Sequence, residues 1–220
     1  LLFRGPKRKL GRDYVAFLGG TETYGKFIST PYPDLIERST GKTCVNFGCL
    51  NAGVDAFLND PPIFDVISGA RVTVVQVVGA QNMSNRFYSV HPRRNDRFLK
   101  ASPLMQTVFR EVDFTEFHFN RHMLQAIKDL SPERYEMIRS ELKSAWLARM
   151  RLLLHRIRSK TVLLWFADHA PSETSECNGL GLDPLFIDRA MMNELSKYVT
   201  EVVEVETSAS AITGRTEGMI

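Results

Sequence analysis

The sequence predicts a three-layer α/β/α domain with a mostly parallel sheet of about five strands. Three observations predict this fold. Short apolar segments rich in β-branched residues alternate along the chain with segments of helical periodicity. Several of the apolar segments end in glycine-containing turns, as strands of parallel sheets do. The length of 220 residues, of which 44% are hydrophobic and 24% charged, suits one domain with a full core, so we expect a single domain over residues 1–220.

The first strand and its turn, residues 13–26, carry most of the functional argument. Residues 14–18 form a short apolar run, which Gly19 and Gly20 close before the hydroxyl group of Thr21. Two glycines allow a sharp turn and a close approach of the backbone to a ligand. Because open α/β sheets bind ligands at the carboxyl ends of their strands, we expect a site at this turn.

The other elements follow in chain order. We expect strands at residues 14–18, 43–47, 71–78, 161–167 and 199–205. We expect helices from residue 33 to near residue 41, and at residues 114–124, 131–157 and 184–198. The third strand is nearly continuous in apolarity, which is typical of a central parallel strand covered on both faces. The helix that begins at Ser131 has an N-cap, a proline in its first turn and one long apolar stripe, so we expect it to cover the sheet.

Two chemical interpretations compete for the opening turn. Residues 20–26 fit the pattern G-x-x-x-x-G-K of a phosphate-binding loop, but Phe27 stands where that loop needs a Ser or Thr hydroxyl for Mg²⁺. Pro31 and Pro33 also prevent a helix from following the loop directly. A nucleotide-using transferase with a degenerate phosphate loop therefore stays open only as a further alternative.

The second interpretation comes from the sequence Gly-Gly-Thr-Glu-Thr-Tyr-Gly at residues 19–25. It resembles the first block of the SGNH (GDSL) hydrolases, Gly-Asp-Ser-x-Thr-x-Gly. Thr21 stands at the position of that family's nucleophilic Ser, and Gly20 at the position of the Asp. A threonine hydroxyl can accept an acyl group when a base activates it, although its methyl group crowds the attack.

Two further turns resemble later blocks of the same family. The turn after the second strand, Asn-Phe-Gly-Cys-Leu-Asn-Ala-Gly, is similar to the second block, in which a backbone amide stabilises the oxyanion. Gly53 matches a glycine of that block, and Asn51 stands where its middle glycine often lies. The turn after the third strand, Gly-Ala-Gln-Asn, resembles the third block, Gly-x-Asn-Asp, whose Asn side chain donates to the oxyanion. Gln81 holds the Asn position and Asn82 follows it.

This resemblance implies a flavodoxin-like fold and the activity of an esterase or acyltransferase on an acylated carbohydrate, with an anionic carbohydrate as one option. Thr21 is then the nucleophile, and the Gly53 amide and Asn82 are the oxyanion donors. A catalytically inactive protein that binds a glycan or another anion is the main alternative. Residues 79–82 and 91–98 are also similar to stretches of an uncharacterised alphaproteobacterial family of this type.

The base that would activate the hydroxyl is the missing part of the pattern. The last block of the family is Asp-x-x-His, but Phe186 occupies the His position after Asp183. His169, which follows the fourth strand at the same edge of the sheet as Thr21, is the best candidate within the chain. The alternative is a base beyond Ile220 in a truncated tail.

An insertion at about residues 86–130 follows the third strand and is expected to overhang the ligand face. Its arginines can bind an anionic group, or they can form an ordinary solvated loop. His118 and His122 are spaced i, i+4 within a predicted helix, but the sequence lacks the H-E-x-x-H pattern, so we predict no metal site. The residues that we expect to bind substrate are Gly20, Asn51, Gly53, Arg93 and Arg94.

Composition limits the classes of partner. The net charge of +3 is too small to indicate nucleic-acid binding. No apolar run reaches the roughly 18 residues of a membrane span, so we expect no membrane insertion. Cys44, Cys49 and Cys177 follow no metal or redox spacing, which favours reduced thiols in the cytoplasm. We expect a small-molecule or glycan substrate and no cofactor, and the sequence carries no signal for an oligomeric state.

Overall fold

The computed structural model describes residues 3–11, 13–173 and 179–207. The strands in these ranges are β1 (Tyr14–Gly19), β2 (Thr43–Gly48), β3 (Val72–Gln76), β4 (Tyr88–His91), β5 (Arg94–Ala101), β6 (Lys160–Ala167) and β7 (Glu201–Glu206). Five of them form one sheet in the order β2-β1-β3-β6-β7, and every pairing within it is parallel. The five sheet strands match the predicted segments to within about two residues at each end.

Helices flank this sheet and complete the three layers. They are α1 (Thr21–Tyr24), α2 (Tyr32–Thr40), α3 (Val54–Leu58), α4 (Pro61–Gly69), α5 (Pro103–Val108), α6 (Asn120–Leu130), α7 (Pro132–Arg156) and α8 (Arg189–Leu195). Short 3-10 turns lie at Phe114–Glu116 and Ser196–Tyr198. The predicted fold class, a three-layer α/β/α domain around a five-stranded parallel sheet, is confirmed.

Helix α7 is the longest helix in the described part of the chain. The Ser131 side chain accepts a hydrogen bond from the Arg134 backbone amide, which caps a helix of 25 residues, about 38 Å long. Its apolar stripe is buried along its whole length, and the indole of the fully buried Trp146 donates to the carbonyl of Val78 at 2.8 Å. This bond fixes the helix to the chain just beyond β3. The helix therefore holds in place the loop that continues into the ligand edge.

The strand order places a natural crevice next to β1. The chain moves from β1 to its neighbour β2 on one side and returns to β3 on the other, so the connections leave the sheet in opposite directions. Open α/β sheets bind their ligands at this point, outside the carboxyl ends of the strands. The ends of β1, β2 and β3 carry the three turns that the sequence singled out.

The insertion differs from its prediction. A helix was expected over residues 114–124, but α6 begins at Asn120. The segment before it is extended because Phe119 forms an antiparallel bridge with Arg97, and the Phe98 amide donates to the His118 carbonyl at 3.1 Å. His118 therefore lies outside the helix and shares no helical face with His122. In the described ranges, no three His, Cys, Asp or Glu side chains form a metal-binding group.

The helix before the last strand also begins later than predicted. It was expected over residues 184–198, whereas α8 begins at Arg189 because the Asp188 carboxylate caps it by accepting from the Met191 amide at 2.9 Å. Residues 183–187 are thereby left as a loop at the ligand edge. This loop contributes to the candidate site.

The sequence predicts reduced cysteines and no membrane-spanning segment. Cys44 and Cys49 are free and buried, and burial raises the pKa of each thiol to about 11, so both are protonated at neutral pH. Cys177 lies outside the described residues. None of the helices in the described part of the chain combines the length and the apolar character that a membrane span requires.

Candidate functional site

A cleft lies outside the carboxyl ends of β1, β2 and β3. Its inner part has a volume of about 120 Å³ and its outer part about 250 Å³, and Asn51, Gln81, Asn82 and Asp183 line both. Thr21 and Glu22 belong to the inner part, and Asp96, Phe119 and Arg121 to the outer part. The two parts together are called the cleft below. The three turns predicted to form the site therefore do meet in one place.

The Thr21 hydroxyl is held by one residue of the second turn. It accepts a hydrogen bond from the backbone amide of Asn51 at 3.0 Å and donates to the side-chain oxygen of the same residue at 3.1 Å. Asn51 adopts a positive φ of 52°, a conformation that Asn tolerates better than most residues. Asn51 stands where the second block of the similar family often has a glycine. In this conformation its backbone amide is directed at the Thr21 hydroxyl.

Asn82 joins the third turn to the second. Its side-chain nitrogen donates to the carbonyl of Asn51 at 3.1 Å, and its oxygen accepts from the side chain of Asn120 at 3.2 Å. Asn120 is fully buried and also donates to the carbonyl of Asn95 at 2.6 Å. Because Asn120 offers only N–H groups at this position, it fixes which end of the Asn82 amide is the donor. The insertion therefore helps to orient the Asn82 side chain in the site.

Gly53 has a different role from the one predicted. Its amide donates to the side-chain oxygen of Asn95 at 2.9 Å in a buried hydrogen bond, and Gly53 does not line the cleft, so this amide does not face a substrate carbonyl. A Cβ atom at Gly53 would lie 1.6 Å from the carbonyl oxygen of Asn82. The glycine is required because two backbones touch there. Asn51 supplies the amide that faces Thr21 instead.

Gln76 organises the first turn and was missed in the sequence. It is 4% exposed, and its side-chain oxygen accepts from the Gly20 amide at 3.0 Å and the Thr23 amide at 3.3 Å. Its nitrogen donates to the carboxylate of Glu22 at 2.9 Å, which holds that carboxylate in the inner cleft. The signal was an amide side chain at the end of β3, within the apolar run of residues 71–78.

Gln81 lines both parts of the cleft and is only 6% exposed. Its side-chain oxygen is buried without a hydrogen-bond partner in the described residues. This oxygen is enclosed against Gly79, where a Cβ atom would lie 2.2 Å from it, so the oxygen itself does not face the cleft.

Asp183 comes from the loop before α8 and closes the other side of the cleft. Its carboxylate forms an ion pair with Arg121 of α6 at 2.6 Å, and Arg121 also donates to the Gly181 carbonyl at 3.1 Å. The loop is attached to the third turn because the Ala80 amide donates to the Leu185 carbonyl at 3.0 Å. In the sequence, Asp183 stood out only because Phe186 takes the place of the histidine in the pattern Asp-x-x-His.

Comparison with known families gives a match over the whole chain. The model of a domain of unknown function, DUF6473, matches residues 1–220. The chain belongs to this family. No curated protein matches the chain.

In this DUF6473 domain, His169 does not join Thr21. It lines a separate cavity of about 420 Å³, its ring is 2.9 Å from the Asp168 carboxylate, and its carbonyl accepts from the indole of Trp165 at 2.7 Å. Within the described residues, both hydrogen bonds of the Thr21 hydroxyl are to Asn51. The ionisable groups that line the cleft with Thr21 include the carboxylates of Glu22 and Asp183, and no histidine of the described residues lines it.

The other predicted contacts also lie elsewhere in the DUF6473 domain. Arg93 and Arg94 are exposed at the turn between β4 and β5 and do not line the cleft. Lys26 is exposed, with its ammonium group 4.8 Å from the ring centre of Phe27. Helix α1 has four residues, too short to present a phosphate site. The geometry therefore gives no support to a phosphate-binding loop.

Proposed function

We propose that the DUF6473 domain is an ester hydrolase or acyltransferase that acts on an acylated carbohydrate, with Thr21 as the nucleophile. One observation carries this proposal: an amide N–H lies 3.0 Å from the Thr21 hydroxyl oxygen in a cleft that also contains the Gln81 and Asn82 side-chain amides. Acyl transfer needs a hydroxyl oxygen to attack the carbonyl carbon and N–H groups to stabilise the negative oxygen that develops.

The proposed reaction assigns a role to each group. The Thr21 oxygen forms a bond to the carbonyl carbon, and the bond from that carbon to the sugar oxygen breaks. When the Thr21 oxygen attacks, the Asn51 amide moves its hydrogen bond from that oxygen to the adjoining carbonyl oxygen of the intermediate. One side-chain amide of the third turn donates to the same oxygen. The proton of the hydroxyl passes through a cleft carboxylate, Glu22 or Asp183, to the departing sugar oxygen. Water or a second alcohol then releases the acyl group from Thr21.

The lining of the cleft supports a carbohydrate. Amide and carboxylate side chains from five different segments converge on it, and such planar groups match the hydroxyls of a sugar. Phe166 in the inner part and Phe119 in the outer part add apolar surface for the carbon atoms. Arg97 stacks on Phe119 at 4.1 Å from the ring centre, which stiffens that wall.

The test is hydrolysis of an aryl acetate and of acetylated sugars by the full chain and its variants. Thr21→Val removes the hydroxyl and keeps the side-chain shape, so turnover should fall to background, whereas Thr21→Ser should retain it. Thr107→Val, at an exposed threonine of α5, is the matched control and should turn over normally. Turnover by Thr21→Val equal to that of the unchanged protein would contradict the proposal.

A carbohydrate-binding protein without catalysis is the second candidate. The observation in its favour is that the Thr21 hydroxyl is already paired with Asn51 on both sides, and no ionisable side chain of the described residues is bonded to it. This candidate predicts saturable sugar binding without ester cleavage, and binding that Thr21→Val retains. The same protein preparations decide between the two candidates.

A further inference from the structure

The cavity that His169 lines has no part in the proposed acyl transfer. Its volume of about 420 Å³ lies in the range of small-molecule sites in proteins, and it is called the larger cavity below. Lys128 of α6 and Tyr135 of α7 contribute to one side of it, and Phe186, from the loop before α8, contributes to another. The chemistry of these walls indicates the kind of molecule that the cavity can bind.

Two aromatic rings give the larger cavity an apolar wall. The rings of Tyr135 and Phe186 pack edge to face, with their centres 6.4 Å apart, and Leu180 and Ile187 extend the apolar surface. Phe186 has a φ of 71°, which is a genuine outlier for a bulky residue. Strained residues of this kind cluster at active sites and ligand clamps. The wall suits the flat face of an aromatic ring.

The Tyr135 side chain is buried, but its hydroxyl lacks a partner. The residue is 3% exposed, and the hydroxyl forms no hydrogen bond within the described ranges. The oxygen is not one of the unpaired atoms of the described residues that are completely enclosed, so it borders open space, and Tyr135 lines the larger cavity. Burial raises the pKa of Tyr135, so the phenol keeps its proton at neutral pH. It is therefore a donor that an acceptor on a ligand would satisfy.

The larger cavity also has a positive charge that its own residues do not neutralise. Close pairs of a basic and an acidic side chain account for the other charged groups of its described walls: Arg139 with Glu136, Lys143 with Asp188, and His169 with Asp168. Lys128 forms no ion pair with a described residue. Its ammonium group donates to the Gly179 carbonyl and lies 5.8 Å from the ring centre of Tyr135. Because an ammonium group has three N–H donors, Lys128 can still bind an anion beside the tyrosine.

We propose that the larger cavity binds an aromatic carboxylate. The ring of the ligand lies against Tyr135 and Phe186, and its carboxylate accepts hydrogen bonds from the Lys128 ammonium group and the Tyr135 hydroxyl. A carboxylate has two acceptor oxygens, so it can satisfy both donors at once. A ligand cation would be repelled by Lys128, and a neutral ring would leave its charge without a partner. This inference does not rest on the proposed function, because neither donor lines the cleft.

The experiment is calorimetric titration of the full chain with benzoate, benzamide and acetate at about neutral pH. Benzamide lacks the charge of benzoate, and acetate lacks its ring. Benzoate should bind about 10-fold more tightly than benzamide, because hydrogen bonds between charged partners are the stronger ones, and acetate should show no saturable binding. Lys128→Met should bring the affinity ratio of benzoate to benzamide close to one, whereas Lys128→Arg should retain most of it. Lys100→Met, at an exposed lysine of β5, is the matched control and should leave the ratio as it was.

Two further variants locate the ligand. Tyr135→Phe removes the hydroxyl and keeps the ring, so it should weaken benzoate binding by about five-fold. Thr21→Val, in the cleft, should leave benzoate binding unchanged. Circular dichroism shows whether each variant is folded, and Tyr135→Phe decides the matter if Lys128→Met does not fold.

Several results would each overturn the inference. They are no saturable binding of benzoate, equal affinity for benzoate and benzamide, acetate binding as tight as that of benzoate, and a ratio that survives Lys128→Met in a folded protein. Unchanged benzoate binding by Tyr135→Phe, or weaker binding by Thr21→Val, would also overturn it. Ester cleavage does not enter these measurements, so the inference and the proposed function can fail separately.

Discussion

Two cavities at the same edge of the sheet differ in what they contain. The cleft outside β1, β2 and β3 contains the Thr21 hydroxyl, amides and carboxylates. The larger cavity beyond β6 is lined by His169, by the aromatic rings of Tyr135 and Phe186, and by charged side chains of both signs. Pro184 lines both, so the loop before α8 forms the wall between them. Residues that share a sheet edge therefore need not share a site, because the loops decide which strand ends meet.

Substitution at Gly53 should give the largest difference between the two regions. In Gly53→Ala the new Cβ would meet the Asn82 carbonyl at 1.6 Å, and backbone on both sides must move. We expect the free energy of unfolding to fall by about 3 kcal/mol or more. His169→Ala, in the other cavity, should lower it by only about 1 kcal/mol. Urea unfolding monitored by circular dichroism measures both, and equal losses would contradict the close contact of the two turns.

Asn120→Leu should come next in size. It removes donors to Asn82 and Asn95 and leaves buried acceptors unpaired, so we expect a loss of about 2–3 kcal/mol in the free energy of unfolding and a strong fall in ester turnover. Asn193→Leu, at an exposed position of α8, is the matched control and should change neither quantity much. A folded Asn120→Leu variant with unchanged turnover would show that the insertion does not orient Asn82.

Asn82→Ala tests the amide itself. Loss of one oxyanion donor typically lowers kcat by about 100-fold, and we expect that effect here with little change in KM. Arg93→Ala, at the exposed hairpin turn, should leave kcat within about two-fold. Steady-state kinetics on an aryl acetate separates the two variants. A larger effect of Arg93→Ala than of Asn82→Ala would indicate that the functional site lies at the arginine-bearing turn between β4 and β5.

The smallest effect concerns Cys49 beside the second turn. Burial raises its pKa to about 11, so the folded protein holds the proton more tightly than the unfolded chain does. Stability should therefore fall as the pH rises from about 9 to about 11. At neutral pH the thiol should react with iodoacetamide far more slowly in the native protein than in urea. Rapid labelling of native Cys49, located by peptide mapping, would be inconsistent with its burial.

Much of the fold was predictable because its signals are local. Apolar runs closed by glycine gave the five sheet strands, and the capping serine with a regular apolar stripe gave α7. The predicted helix at residues 114–124 was wrong because a bridge between Phe119 and Arg97, distant in sequence, makes its first part extended. Periodicity cannot register such a contact.

The residues of the site likewise fall into those that local sequence signals predicted and those that they did not. Thr21, Asn51 and Asn82 were predictable because each lies directly after a sheet strand in a recognisable turn. Gln76 and Asn120 were not, since their roles arise from hydrogen bonds between segments far apart in the chain. His169 looked suitable because it follows a strand at the correct edge, but its lateral position in the sheet depends on strand order. Strand order is a property of the tertiary structure.

Mass spectrometry after incubation with an aryl acetate tests the central claim most directly. The account predicts one acetyl group on the peptide that contains Thr21, present in the unchanged protein and in His169→Ala and absent in Thr21→Val. An acetyl group on another residue, or none while the ester is still cleaved, would contradict the claim that the three strand ends build an acyl-transfer site around this hydroxyl.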